Sequence, residues 1–402
     1  MKKFFILAAM AATAAAACTK NGSGPDIPSG RAEVGFTISS AGIGETRAAP
    51  VEADETRVNT VDAFVFNATG DLDAYGHYTG EDFTTSGAVT TLHDDKKLSC
   101  TTGAGKKVWI VINGNAGNVT GGYASGIKNE SDLKSQVFLL TQNVTGETPA
   151  LQNFQMIGSN TATFTPGNNS VNVEVSRVVA RVWIKKIKKD FTSAAQNGPL
   201  TIKNIYMSNV VGSFQYDGTC KKAADDLWFN KYAFDANHTP YSTYVEIDQA
   251  EDLWLNRNLS PAVAINEDAY KTTEIESTFY VMPNDVAWGT SGVFGPIGGT
   301  AWSPRHTRLI IETEYAGQVY YYGIPIAENG TNGYPIGKAG DDGSNYQGLK
   351  ANYSYEIDEL VLTRLGSTSP DEPVIPAMVN FNITVKTWTT QFIATETGKY
   401  VI

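Results

Sequence analysis

The feature that most constrains the fold of this chain is a two-residue alternation of apolar and polar side chains, which recurs along most of its length. Residues 31–39 show it most clearly, with an apolar face formed by Ala32, Val34, Phe36 and Ile38. Successive side chains of a β-strand point to opposite faces, so this period predicts a strand with one buried face.

The same reasoning predicts strands in most of the chain. Residues 60–66 and the segment through Tyr75 and Tyr78 flank an Asn-Ala-Thr-Gly-Asp turn, which indicates a hairpin. Further strands are predicted at residues 108–112, 200–206, 278–282, 308–315, 318–326, 353–362 and 381–388. Because 38 glycines and 19 tyrosines also favour turns and strands, the predicted fold is mainly β, in two antiparallel β-sandwiches.

Two features divide the chain. The apolar phase of the long strand-like region 171–187 switches near Val178, which predicts a bulge or a bend. The polar stretch 190–199 that follows predicts a boundary between residues 192 and 193. Helix-like patterns are confined to residues 131–140 and 251–258.

The first residues are typical of an export signal. Two lysines precede a short apolar run, residues 4–17, which ends at Cys18. A cysteine directly after a run of alanines predicts lipidation of Cys18 at a bacterial lipoprotein processing site. The alternative is an ordinary signal peptide in which Cys18 has no role.

Charge and cysteine content narrow the classes of function. A net charge of −11 argues against nucleic acid as a partner, and the lysine cluster at residues 185–189 is interpreted as a solvated strand end rather than a phosphate site. Cys100 and Cys220 permit a disulfide in an oxidising compartment, but two separate buried thiols are the preferred interpretation.

Residues with catalytic chemistry are sparse. The four histidines fall in no known hydrolase or metal motif, and Asp71 and Asp73 alone make a weak calcium signal, so we predict no catalytic residues, no metal and no cofactor. Trp302 and the tyrosine run 320–322 suggest a sugar platform, although packing in the core or on a sheet face is the preferred interpretation.

Five segments together resemble the fimbrillins, the subunits of type V pili. Besides the start that ends at Cys18, they are Val-Asp-Ala-Phe-Val-Phe-Asn-Ala-Thr-Gly-Asp-Leu at 61–72, Lys-Val-Trp-Ile-Val-Ile-Asn-Gly at 107–114, Arg-Val-Val-Ala-Arg-Val-Trp-Ile at 177–184, and the pair 349–357 and 381–388. Their order spans nearly the whole chain. Residues 221–281 resemble nothing in the family.

The resemblance implies a fold and a route of assembly. It implies two transthyretin-like sandwiches, exported as a lipidated precursor that is anchored in the outer membrane. An Arg-specific protease would remove a propeptide together with its first strand, here the strand with Val34, Phe36 and Ile38, and a strand of another subunit would fill the groove. The implied parts are a signal peptide at 1–17, a propeptide at 18–47, and sandwiches at 48–192 and 193–402.

Two assignments within this scheme have rivals. The predicted cut lies between Arg47 and Ala48, with Arg31 and Arg57 as the other candidate sites. The predicted donor is the C-terminal tail, with anchors Phe392, Ile393, Tyr400, Val401 and Ile402; the alternative is a last strand that folds back on its own sheet.

Three functions are therefore weighed. The preferred one is a structural subunit of a surface fimbria, in the shaft, that supports adhesion or biofilm formation. The second is a monomeric outer-membrane lipoprotein that binds glycans through Trp302 and residues 320–322. The third, an envelope hydrolase, has no supporting constellation of residues.

Overall fold

The structure is a computed structural model. It describes residues 30–40, 57–86, 89–114, 119, 122–140, 154–191, 193, 196, 198–218, 228–229, 244–245, 256–265, 270–271, 278–284, 307–326, 349–370, 379–387 and 393–394. Statements about what the molecule contains refer to these residues.

Strands dominate this part of the chain, which confirms the prediction of a mainly β fold. Those of the first half are β1 (Arg31–Ser40), β2 (Arg57–Val58), β3 (Thr60–Phe66), β4 (Leu72–Thr79), β5 (Phe83–Ser86), β6 (Val89–Leu92), β7 (Leu98–Thr101), β8 (Gly103–Ile112), β9 (Val137–Leu139), β10 (Met156–Phe164) and β11 (Gly167–Arg177). Those of the second half are β12 (Ala180–Ile184), β13 (Lys186–Lys189), β14 (Leu200–Ser208), β15 (Val210–Val211), β16 (Ser213–Gln215), β17 (Trp228–Phe229), β18 (Tyr244–Val245), β19 (Asn256–Ile265), β20 (Tyr270–Lys271), β21 (Thr278–Val281), β22 (Arg308–Tyr315), β23 (Gln318–Pro325), β24 (Tyr353–Leu362), β25 (Val379–Thr387) and β26 (Ile393–Ala394).

Helical structure is short. It consists of α1 (Gly122–Gly126), α2 (Glu130–Lys134) and a 3-10 turn at Asp94–Lys96. A capping box at Asn129 and Asp132 starts α2. No helix in the described ranges is long and apolar enough to cross a membrane.

The first half forms a nine-stranded sheet. Its order is β4-β3-β8-β10-β11-β1-β6-β5, and β7 also pairs with β1. The predicted hairpin is present as β3 and β4, closed at the turn by the amide of Asn67, which donates to the carbonyl of Asp71 at 2.9 Å.

The remaining strands form several sheets. A six-stranded sheet has the order β20-β13-β24-β12-β21, with β25 paired to β24, and a four-stranded sheet has the order β19-β14-β22-β23. Smaller sheets join β15, β17 and β18, β16 and β9, and β2 and β26.

The predicted bend near Val178 is confirmed. Strand β11 ends at Arg177 in the nine-stranded sheet, and β12 begins at Ala180 in the six-stranded sheet. The phase switch therefore marks a change of sheet. Strands β12 and β13 both pair with β24, so the chain enters the six-stranded sheet before the predicted boundary between residues 192 and 193. The division into two domains stays a prediction.

Two buried clusters form the core. One lies within the nine-stranded sheet and includes the apolar face of β1; the other joins side chains from both halves of the chain, from Phe64 to Leu362.

Both helix predictions are wrong in part. Within 131–140 the helix ends at Lys134 and Val137–Leu139 is a strand, and the C-terminal end of 251–258 lies in strand β19.

Candidate assembly groove

Strand β1 occupies an interior position of the nine-stranded sheet. On one side it pairs in parallel with β11 over nine positions, from Ala32 opposite Gly167 to Ser40 opposite Val175. On the other side it pairs antiparallel with β7 at its start and with β6 at its end. The strand therefore fills a slot between two edges that are otherwise separate.

The inner face of β1 is fully packed. Ala32 and Val34 are 0% exposed, and Phe36 and Ile38 are 2% exposed. The residues between them are half-buried, so the alternation predicted from the sequence is present in the structure. These four side chains lie in one cluster with Val61, Ile110 and Val173 among others. An apolar groove, lined by the other side chains of this cluster, therefore lies beneath β1.

Cys100 forms part of one wall of this groove. It is 1% exposed and lies opposite Ala32 in the pairing of β1 with β7. Burial raises the pKa of the Cys100 thiol to about 11, with a further contribution from the negative charge of Asp73. Cys100 is a free buried thiol, as preferred from the sequence, whereas Cys220 lies outside the described residues.

Two of the three candidate cleavage sites lie in paired backbone. Arg31 is the first residue of β1, and its guanidinium donates to Ser99 Oγ at 2.8 Å and 3.1 Å. The Arg57 carbonyl accepts a hydrogen bond from Asn113 Nδ2 at 2.8 Å, and Val58 is 0% exposed. Proteases bind their substrates as extended, unpaired segments. The peptide bonds after Arg31 and after Arg57 are therefore protected from cleavage in this fold.

The remaining predicted sites are mostly beyond the described residues. Those outside are Cys18, Arg47, Ala48, Phe392, Tyr400, Val401 and Ile402. Ile393 is described as backbone only: it lies in β26, which pairs in parallel with β2, Arg57 opposite Ile393. This short segment of the tail thus contacts the first half of its own chain.

The predicted sugar platform is not an exposed ridge. In the run 320–322, Tyr322 is 0% exposed and donates to the Arg364 carbonyl at 2.8 Å, while Tyr320 and Tyr321 are half-buried. Trp302 lies outside the described residues. Among the described side chains, Val89 is the one large apolar residue that counts as exposed.

The charged clusters have internal partners. Lys185 contacts Glu356 at 3.1 Å and Asp358 at 2.5 Å, and Lys186 pairs with Glu359, so two lysines of the cluster have acidic partners on β24. Asp73 pairs with Lys106 at 2.8 Å. The described residues contain no group of three or more His, Cys, Asp or Glu side chains arranged to hold a metal ion.

Sequence reasoning missed the polar contacts around β1. Lys97, which follows the 3-10 turn, reaches Asn168 on β11 across the strand, and Ser39 donates to Asn172 at 3.3 Å. No local signal identifies these pairs, because they depend on a register between segments that are far apart in the sequence.

A family model for the major fimbrial subunit protein (FimA) matches residues 32–248, more than half of the chain. The chain belongs to the FimA family of major fimbrial subunits. The resemblance inferred from the five sequence segments is therefore confirmed. This family is one of structural fimbrial subunits rather than of enzymes, and a fimbrial subunit assembles with others at the cell surface. No curated protein sequence matches the chain.

Solved structures share the fold of this FimA-family subunit. A fimbrilin (FimA) from Porphyromonas gingivalis is 17% identical with a TM-score of 0.60, covering 91% of this chain and 99% of its own. A putative cell adhesion protein from Parabacteroides distasonis has 18% identity and a TM-score of 0.59, covering 90% and 100%. Another from Bacteroides eggerthii has 18% identity and a TM-score of 0.58, covering 92% and 100%.

Proposed function

We propose that this fimbrial subunit is exported as a precursor lipidated on Cys18, cut between Arg47 and Ala48, and polymerised by exchange of β1 for a strand of another subunit. The precursor is held in the outer membrane, and the processed chain forms the shaft of a surface fimbria that supports adhesion or biofilm formation. The donor is the C-terminal tail, with Phe392, Ile393, Tyr400, Val401 and Ile402 as anchors.

The observation that carries the proposal is the position of β1. It is the first described strand, yet it pairs on both sides within the sheet and buries its whole apolar face. Burial of Val34, Phe36 and Ile38 contributes at most about 5–9 kcal/mol, since full burial of one such side chain contributes roughly 1.5–3 kcal/mol. Loss of β1 would expose this apolar floor and leave unpaired backbone groups on β11, β6 and β7.

A donor strand would restore both kinds of contact, which is β-strand addition. Because the groove and the donor are different surfaces of the subunit, the contact is head-to-tail and extends as an open filament. A tail available as a donor suits a shaft subunit better than a tip subunit.

Arg47 is favoured as the cut because its rivals are paired. A cut after Arg31 would leave β1 in the sheet, and a cut after Arg57 would require the Asn113 contacts to break. In the precursor, before the tail acts as a donor, the pairing of Arg57 with Ile393 further covers that site.

The glycan-binding alternative receives no support from the described aromatic residues. It requires an exposed ridge, and Tyr322 is buried.

The test is N-terminal sequencing and intact mass of the subunit from purified fibres, for the wild type and the variants Arg47→Ala, Arg31→Ala and Arg57→Ala. We expect a wild-type chain that begins at Ala48 without acyl mass, and the same product from Arg31→Ala and Arg57→Ala. Arg47→Ala should remain a lipidated, unpolymerised precursor. Normal fibres from Arg47→Ala would refute the assigned cut, and fibres whose chains begin at Cys18 would refute removal of β1.

A further inference from the structure

The side chain of Lys97 crosses over β1 on the face opposite the apolar groove. Lys97 directly precedes β7, and the pairing of Val34 with Leu98 places it opposite Gly35. Its Nζ lies 3.4 Å from Asn168 Oδ1 on β11, the strand on the far side of β1. The same ammonium lies 3.0 Å from Asp94 Oδ1 in the preceding turn. Lys97 therefore links the two strands that flank β1.

Gly35 makes the space for this crossing. A Cβ at Gly35 would lie 3.6 Å from Lys97 Cε and 3.8 Å from Lys97 Cγ, which is ordinary contact. The lysine stem thus lies directly on the strand, and its side chain is only 23% exposed. An alanine fits beneath it, whereas a longer side chain would displace it. A glycine inside a strand commonly marks such a close approach.

We propose that Lys97 is a specificity-determining strap over the assembly groove, which selects a strand by the residue that faces outward at the position of Gly35. Glycine or alanine lets the strap close, whereas aspartate or glutamate displaces the lysine stem but forms an ion pair with its ammonium. Lysine or arginine is rejected by charge and by size. This proposal rests on the proposed strand exchange and names which strands the same groove accepts.

The strap has two physical effects on the occupant. When Lys97 lies over the strand, its hydrogen bond to Asn168 joins the start of β7 to β11. This bond must break before the strand in the groove can leave, so it slows dissociation of that strand. It also places a positive charge over one position of the incoming strand. A partly exposed pair of this kind has a modest effect, which suits selection among donors rather than affinity as such.

The experiment measures replacement of β1 by synthetic strands. The full precursor is cut with an Arg-specific protease and mixed with labelled peptides of sequence 31–40 that carry Gly, Ala, Asp or Lys at position 35; native mass spectrometry follows the exchange. For wild-type protein we expect the Asp peptide to be retained about two- to fivefold longer than the Ala peptide. The Lys peptide should be retained for a shorter time than the Ala peptide, by a similar factor. Lys97→Met keeps the apolar stem and removes the charge, so it should abolish this order.

Lys97→Met and Asn168→Ala should each release the native strand about two- to tenfold faster, as expected for one hydrogen bond. Lys96→Met is the matched control, because Lys96 pairs with Asp82 and does not cross β1. Hydrogen exchange of the β1 amides in the uncut precursor gives a second measurement, and it should rise in Lys97→Met but not in Lys96→Met.

The outcomes separate the two proposals. Equal retention of all four peptides, or unchanged exchange of the β1 amides in Lys97→Met, would overturn the strap alone. Failure of every peptide to replace β1 in the cut wild type would overturn strand exchange itself, and the strap with it.

Discussion

Ala32 and Cys100 are cross-strand partners, and both side chains are buried in one apolar cluster, Ala32 at 0% and Cys100 at 1% exposed. The alanine belongs to the strand that we propose is removed, whereas the cysteine belongs to the strand that stays. The accessibility of Cys100 therefore reports directly whether the groove is filled.

We predict that alkylation of Cys100 at pH 8 is slow in the precursor and rises by roughly 10- to 100-fold when β1 leaves. The thiolate is the reactive form, and burial raises the pKa of Cys100 to about 11 while β1 is in place. Peptide mapping after timed treatment with iodoacetamide locates the modification. Refilling the groove with a peptide of sequence 31–40 should restore protection. Equal rates before and after removal of β1 would show that the strand does not cover Cys100.

Replacement of Phe36 by alanine should destabilise the precursor by about 3–5 kcal/mol, because the ring is 2% exposed and its loss leaves a cavity in the groove. Thr37→Ala, on the half-buried outer face of the same strand, should change stability by less than about 1 kcal/mol. Urea unfolding of the uncut proteins measures both. A Phe36→Ala precursor as stable as Thr37→Ala would contradict the packing of β1.

The sequence predicts strands well where one face is buried throughout. The alternation at 31–39 and the phase switch at Val178 both encode local burial, and both are present in the structure. It does not predict which strands pair. The parallel partner of β1 is β11, more than a hundred residues away, and nothing local specifies that register.

The prediction of a helix over the whole of residues 131–140 is wrong in part for a similar reason. Val137–Leu139 pairs with Ser213–Gln215, a contact between distant segments that overrides the local helical pattern. The strand that fills the candidate groove was therefore predictable from the sequence, but the groove wall at Cys100 and the crossing by Lys97 were not.

Asp62 is a buried carboxyl whose state should affect stability with pH. It is 1% exposed on β3, and its Oδ1 lies 2.7 Å from the Tyr75 hydroxyl and 2.8 Å from His77 Nδ1. Burial raises the pKa of Asp62 above its ordinary 3.8, and the hydrogen bonds to His77 and Tyr75 oppose that shift. Between pH 3.8 and the raised pKa of the folded state, the unfolded chain has lost the Asp62 proton that the folded chain still holds. The free energy of unfolding therefore falls as pH rises through this range.

We therefore predict that Asp62→Asn gains stability relative to the wild type as pH rises above 3.8, because asparagine keeps an acceptor for Tyr75 and does not titrate. Urea unfolding of both proteins between pH 3.5 and 7 measures the difference. Asp95→Asn, at an exposed position in the 3-10 turn, is the control. A constant difference across the range would mean that the raised pKa is not a property of the folded state.

Asp73 should hold β7 in place after β1 has left. Strand β7 pairs with β1 in the sheet, so removal of β1 deprives it of that ladder. Asp73 on β4 provides a second attachment: its Oδ2 accepts hydrogen bonds from the Thr101 amide at 3.0 Å, the Thr101 hydroxyl at 2.8 Å and Lys106 Nζ at 2.8 Å. The ion pair is largely buried, with Lys106 4% and Asp73 11% exposed. These contacts do not involve β1 and can persist without it.

Asp73→Ala should therefore cost about 3–5 kcal/mol, because it leaves a buried lysine without its partner, and should release β7 once β1 is gone. Hydrogen exchange of residues 98–101, measured before and after removal of β1, tests the second effect. Asp71→Ala is the matched control, since the Asp71 side chain contacts Thr69 within its own turn. The double variant Asp73→Leu, Lys106→Met removes both charges and so separates the lost attachment from the cost of an unpaired lysine. Were residues 98–101 to exchange equally fast in the wild type and in Asp73→Ala after β1 is removed, Asp73 would not be the contact that keeps the groove wall ready for a donor.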